Sequence, residues 1–206
     1  MDAKLELMFP VPTYNVKKES DLDLSEKKDI EDIIEEGIRF DAGHSFSHNS
    51  YIFNTKLKKL KEFCEHHIKI YVEEVISPRE ELDFYITQSW LNITKPGEYH
   101  RIHSHSNSII SGVFYIQTDE GQKLSFYDQN IKIKQTIKII PKKATIWNSD
   151  AYDFKVTNNQ LLLFPAWIDH GVKVNEKQTI DAISLSFNTF VKGTIGDELQ
   201  YSNLVL

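Results

Sequence analysis

Cysteine is nearly absent from this chain. Cys64 is the only one in 206 residues, so no internal disulfide is possible and a reducing compartment suits the protein best. Long apolar runs are missing too. No stretch approaches the about 18 residues of a membrane-spanning helix, and Met1-Asp2-Ala3-Lys4-Leu5-Glu6 lacks the basic and apolar regions of a signal peptide. A cytoplasmic location and no membrane partner are therefore expected. Positive charge is in deficit, with 24 Lys and Arg against 30 Asp and Glu and a net charge of −6. That balance makes a nucleic-acid partner or an anionic membrane surface an unfavourable reading. There is no internal repeat, low-complexity segment or flexible linker, so a single domain over 1–206 is expected.

What is present is the composition of a soluble globular protein, 40% apolar and 26% charged. Aromatic residues concentrate after residue 84, which points to a β-rich C-terminal part. The N-terminal 80 residues read as a helical lead-in. Residues 4–9, closed by Pro10 and Pro12, suggest a short edge strand. Asp23 stands three before Glu26 in a capping-box pattern, and Ile30, Ile33, Ile34 and Ile38 follow at helical spacing. Residues 40–50, with Gly43, His44 and His48, read as a loop. A second helix is expected over 55–77, with Leu57, Leu60, Phe63, Cys64, Tyr71, Val72 and Val75 on one face. Cys64 reads there as a small buried hydrophobe, and the adjacent His66 and His67 as bystanders.

From residue 83 the period falls to two. Strands are expected at 84–93, 99–105, 109–118, 123–127, 131–139, 144–148, 152–157, 160–164, 170–174 and 180–191. Many short strands at even spacing suggest a sandwich or double-sheet barrel, with the two helices covering one sheet. Trp90, Phe114, Phe126, Phe164 and Phe187 are the expected core aromatics.

Two stretches carry the chemistry. Three of the eight histidines cluster at 100–105. In an extended strand His103 and His105 project to one face, while His100, at an odd spacing from both, should point away. Neutral imidazoles paired on a strand end make half of a metal site, although a polar turn that happens to hold histidines is the plainer alternative. Far downstream, Leu161 to Trp167 form an apolar strand ending at Pro165-Ala166-Trp167, and His170 follows. A local pair plus one remote ligand is what a site inside a double-sheet barrel requires, and three ligands leave positions open on the metal.

The residues Ser89-Trp90-Leu91-Asn92, Gly97, His103-Ser104-His105, Ser111-Gly112-Val113-Phe114-Tyr115, Gly121 with Leu124 and Phe126, Leu163-Phe164-Pro165-Ala166-Trp167 with His170, and Ser184-Leu185-Ser186-Phe187-Asn188 together resemble one family. It is the small phage and bacterial 2-oxoglutarate/iron(II)-dependent oxygenases. The resemblance covers about 84–191 and implies a mainly β double-stranded β-helix (jelly roll) core, preceded by helices, with Fe(II) at its open end and 2-oxoglutarate as co-substrate. It implies His103, His105 and His170 as metal ligands and catalytic centre, with His105 where the wider superfamily has a carboxylate. It also implies Tyr115 as a co-substrate contact and Asn92 as a pocket residue. Where the family usually has an arginine for the distal carboxylate of 2-oxoglutarate, this chain has Ala182. Lys123 is the first candidate to replace that arginine, provided its strand face looks inward. Arg101 and Lys173 come next. The substrate, whether a peptide side chain, a nucleobase or a metabolite, is left open, as is a homodimer. A cupin-like metal enzyme without 2-oxoglutarate and a non-catalytic jelly-roll binding protein are the competing readings.

Overall fold

A computed structural model describes residues 4–41, 43–128 and 140–206. In chain order the elements are β1 (Tyr14–Lys17), α1 (Leu24–Glu35), β2 (Ile38–Asp41), β3 (His44–Ser47), α2 (Lys58–Tyr71), β4 (Asp83–Thr94), β5 (His100–His103), β6 (Ile110–Gln117), β7 (Lys123–Tyr127), β8 (Ala151–Lys155), β9 (Gln160–Pro165), β10 (His170–Val172), β11 (Ala182–Lys192), β12 (Thr194–Ile195) and β13 (Leu204–Val205). They build a seven-stranded sheet of order β1-β9-β6-β11-β4-β3-β2 and a four-stranded sheet of order β5-β10-β7-β8. A small β12-β13 pair stands apart.

The large sheet works on both faces because its central strands alternate. Leu91, Phe114, Leu161, Leu163, Leu185 and Phe187 pack on one side against Ile30 and Ile33 of α1 and Leu60, Cys64 and Ile68 of α2. Val113, Tyr115, Leu162 and Phe164 face the other way and meet Leu124 and Phe126 of the small sheet. The two layers against this sheet are thus helices outside and the second sheet inside. Gly112 is required by a close approach on the helix side. A Cβ there would lie 2.1 Å from Phe187 Cζ.

The helices are joined through acids. Asp23 caps α1 by accepting from the Glu26 amide at 2.9 Å, and Glu26 closes the capping box. Glu26 also accepts from the Leu60 amide at 2.8 Å, and Asp29 accepts from the Leu57 amide at 2.8 Å. Two amides at the start of α2, which has no side-chain cap of its own, are thereby satisfied by α1.

Several expectations need correction. Residues 4–9 form no strand. Pro10 and Pro12 offer no N–H for a ladder, and pairing begins instead at Tyr14, opposite Leu163. The expected loop at 40–50 contains the hairpin of β2 and β3, which extends the large sheet through Ser45↔Ile93. The lead-in is therefore not purely helical. The second helix runs as α2 and then a π-helical turn, Val72–Ile76, ended by Ser77 in the left-handed region (φ 45). Val75 lies there and is exposed. Residues 144–148 make a turn, with Asn148 Oδ1 accepting from the Thr145 amide at 2.7 Å. The strand expected at 131–139 lies outside the described residues. Phe114, Phe126, Phe164 and Phe187 are buried, whereas Trp90 is half-buried because it lines a cavity.

Candidate metal centre

The site is built at one end of the gap between the two sheets. β10 lies antiparallel between β5 and β7, placing His170 opposite His103 on one side and Phe126 on the other. His105 continues the chain past β5, and its amide donates to the Ala166 carbonyl at 2.9 Å, just beyond β9. This brings the histidines of the two separated stretches together. One nitrogen from each of His103, His105 and His170 can be chosen so that all lie within 4.8 Å of one another. The His105 and His170 Nε2 atoms are 3.2 Å apart. Two imidazole nitrogens bound at right angles to one ion at about 2.1 Å would stand about 3 Å apart.

The ring orientations are set by the backbone. His170 Nδ1 is 2.9 Å from the Ile168 carbonyl, and His103 Nδ1 is 2.9 Å from the Arg101 carbonyl. An Nδ1–H donated to a carbonyl fixes the tautomer that leaves Nε2 a lone pair for a metal. Burial reinforces this. It pushes the His170 pKa down to about 3, with the neighbouring His103 adding to the effect, and that of His105 down to about 4, again helped by His103. His103 is also lowered, mainly by burial. Neutral imidazole is the form that binds a metal. Asp169, beside His170, is not part of the converging group.

A cavity of about 50 Å³ opens beneath these rings, walled by Val113, Leu124 and Phe164 and by the polar residues Asn92, Thr94, Tyr115, Gln117 and Gln122. Asn92 is fully engaged. Its Oδ1 accepts from Trp90 Nε1 at 3.1 Å and lies 3.3 Å from His44 Nε2, while its Nδ2 donates to Ser186 Oγ at 2.9 Å and Ser184 Oγ at 3.4 Å. Trp90, so anchored, lies with its ring 5.9 Å from that of His105. Tyr115 is buried, and that burial raises its pKa and keeps the phenol protonated.

The three cations expected at the far end are not in the cavity. Along β7 the face of Leu124 and Phe126 looks inward, so Lys123 faces out and pairs with Asp153 at 3.6 Å. Lys173 joins the same carboxylate at 2.9 Å. Arg101 is exposed, and only its carbonyl serves the site. Among the described residues, no lysine or arginine lines the cavity.

Two histidines of the wall were not anticipated. His100 does not point away, because β5 carries an extra residue between the pairs His170↔His103 and Val172↔His100. That bulge turns both rings to one side, and His100 stacks on His103 at 4.2 Å and approaches His44 at 3.8 Å. Burial pushes the His100 pKa down to about 2, with His44 the next contributor. His44 enters from β3, a strand of four residues and too short to announce itself by its pattern. Gln122 was also missed, although it continues the inward period of Leu124 and Phe126 by one step.

A family model described as "Putative 2OG-Fe(II) oxygenase" matches residues 88–188. No similar sequence is found among curated proteins. Solved structures share the fold at low identity. An oxidoreductase of the 2OG-Fe(II) oxygenase family from Burkholderia pseudomallei aligns with a TM-score of 0.57 at 10% identity, over 86% of this chain and 83% of that one. A Pseudomonas putida prolyl-4-hydroxylase gives 0.56 at 11% over 87% and 94%. A Trichoplax adhaerens prolyl hydroxylase, in complex with a hypoxia inducible factor peptide fragment, gives 0.55 at 11% over 85% and 83%. The two facing sheets are accordingly a double-stranded β-helix, and residues 88–188 match the model of the 2OG-Fe(II) oxygenase family, which uses iron(II) and 2-oxoglutarate.

Proposed function

We propose that His103, His105 and His170 hold one iron(II) and that the protein is a hydroxylase-type oxygenase acting with 2-oxoglutarate. The convergence of these three imidazoles within 4.8 Å, inside the family's matched region, is the observation that carries the reading. The donor set fits a divalent first-row metal, for which neutral imidazole is a good ligand. With no carboxylate in the set, the site keeps one more positive charge than a two-histidine, one-carboxylate site, which favours an anionic co-ligand.

Iron(II) with 2-oxoglutarate and O₂ supplies the oxidising chemistry, and the chain supplies position and exclusion. The Ile168 and Arg101 carbonyls hold two rings in orientation. Asn92 ties Trp90 to Ser184 and Ser186, so one wall moves as a unit with β4 and β11. Leu124, Phe164 and Val113 form the apolar wall on the other side. Tyr115 retains its proton and remains a donor. A peptide side chain is the first substrate class to test, since prolyl hydroxylases are among the structural neighbours. The sole cysteine, a fully buried free thiol, supports a cytoplasmic setting.

One observation favours a second reading, a metal enzyme that does not use 2-oxoglutarate. It is the absence of a lysine or arginine among the described cavity residues, with Ala182 in the wall. Protein purified without oxygen should take up one iron(II) per chain, bind 2-oxoglutarate saturably and form succinate once O₂ is admitted. Iron uptake without binding of 2-oxoglutarate would decide for the second reading.

A further inference from the structure

The polar groups of the cavity divide into those already engaged and those that are not. Asn92 is engaged on both sides of its amide, and Ser184 and Ser186 accept from it. Gln117 Nε2 donates to the Asp181 carbonyl at 2.8 Å. Gln122 is different. It is 5% exposed, it lines the cavity, and its Oε1 is buried with no hydrogen-bond partner. A buried amide left in that state carries a desolvation cost that a ligand would remove. Its O and N are interchangeable by a simple flip, so it offers either a donor or an acceptor to what enters.

Its place in the fold says which end of a ligand it would meet. Phe126 is in register with His170 and marks the level of the metal ligands. Gln122 stands four residues away on the same inward face, about 13 Å along the strand. On the opposite sheet Ser186 pairs with Trp90, which lies over His105, and Ala182 is likewise four residues further along, opposite Thr94. Gln122 thus faces the end of the cavity remote from the three converging imidazoles, where Ala182 offers no polar side chain. A ligand bound to the metal by its 2-oxo acid end would send a second carboxylate towards this end of the cavity, where the Gln122 side chain reaches in. That carboxylate needs donors in an enclosed site.

We infer that Gln122 donates its side-chain amide to the distal carboxylate of 2-oxoglutarate, with the Tyr115 hydroxyl as a second donor, and so selects a dicarboxylate at this site. The assignment rests on the reading of the protein as a 2-oxoglutarate enzyme. Gln122 is a specificity residue in it, remote from the reacting bond. Its removal raises KM for 2-oxoglutarate and leaves kcat in place.

The test is calorimetric titration of the full chain loaded with nickel(II), which holds the site without turnover. Wild type, Gln122→Leu and Gln122→Glu are each titrated with 2-oxoglutarate and with 2-oxobutanoate, which lacks the distal carboxylate. Gln122→Leu should weaken 2-oxoglutarate by about tenfold or more, the loss of a hydrogen bond to a charged group. Gln122→Glu should weaken it further, because two carboxylates then face each other. In Gln122→Leu, 2-oxobutanoate affinity and nickel stoichiometry should stay at the wild-type values. Unchanged 2-oxoglutarate binding in both variants overturns the assignment alone, as does equal loss of both oxo acids with nickel retained. Wild-type protein that holds nickel but binds no 2-oxoglutarate overturns the co-substrate reading and the assignment with it.

Discussion

Gly112 and Phe187 offer a sharp test of how the large sheet is packed. The Phe187 ring is fully buried and occupies the space where a residue-112 side chain would begin, with its Cζ, Cε2 and Cε1 at 2.1, 2.4 and 2.7 Å from the built Cβ. None of these contacts can be relaxed by a small shift, since the ring is also held near Phe53, centroid to centroid at 6.1 Å. Gly112→Ala should therefore cost about 3 kcal/mol, the upper part of the range for overpacking. Phe187→Ala should cost about 3–5 kcal/mol by the opposite mechanism, a cavity. The double variant is the informative one, because the alanine methyl at 112 then enters the space the ring has left. Its cost should fall short of the sum of the two single losses by at least about 1 kcal/mol. Urea unfolding followed by tryptophan fluorescence and circular dichroism measures all three. Additivity to within about 0.5 kcal/mol, or a Gly112→Ala variant as stable as wild type, would refute the packing argument.

His170→Ala should abolish stoichiometric metal while the far-ultraviolet circular dichroism is retained, and a variant that still binds one metal per chain would remove His170 from the ligand set. Metal-free protein should lose stability as pH falls from about 6.5 towards 3, because unfolded histidines take protons near 6.5 whereas His105 and His170 resist them until about 4 and about 3. Urea midpoints that stay flat over that window would contradict the buried neutral imidazoles. Lys123→Ala and Arg101→Ala should leave 2-oxoglutarate affinity within about twofold of wild type, since the first residue faces Asp153 and the second faces solvent, and exposed pairs contribute little. A large loss in either variant would place its side chain in the cavity after all.

Much of this architecture was legible because alternation is a strong signal where both faces of a strand are committed. Leu161 to Phe164, Val113 to Ile116 and Ser184 to Phe187 read directly as strands, and Asp23 with Glu26 announced the first helix. The histidines at 103, 105 and 170 stood out because two of them share a strand face in a cluster and the third follows an apolar strand. What stayed hidden depended on pairings between distant strands. A period of two divides Lys123 from Leu124 but does not say which face looks inward, so the lysine drew notice that belonged to Gln122. The bulge in β5 is visible only from its pairing with β10, and it alone turns His100 towards His103. His44 reads as part of a loop because a four-residue strand bounded by Gly43 and polar residues has too little pattern to outweigh its turn composition.

The position of β5 at the border of the four-stranded sheet has a consequence for local stability. Among the described residues this strand has one neighbour, the three-residue β10, and its exposed side carries Arg101 and Ile102. Such a border would fray first, at a free energy well below that of global unfolding. A metal bound to His103 and His170 cross-links the border to the strand beside it and so adds its binding free energy to the opening of that segment. Amide exchange in residues 100–103 would then slow with metal, while the amides of β6 and β11 in the middle of the large sheet would keep their rates. The ion would act as a fastener of the barrel's mouth as well as its reactive centre.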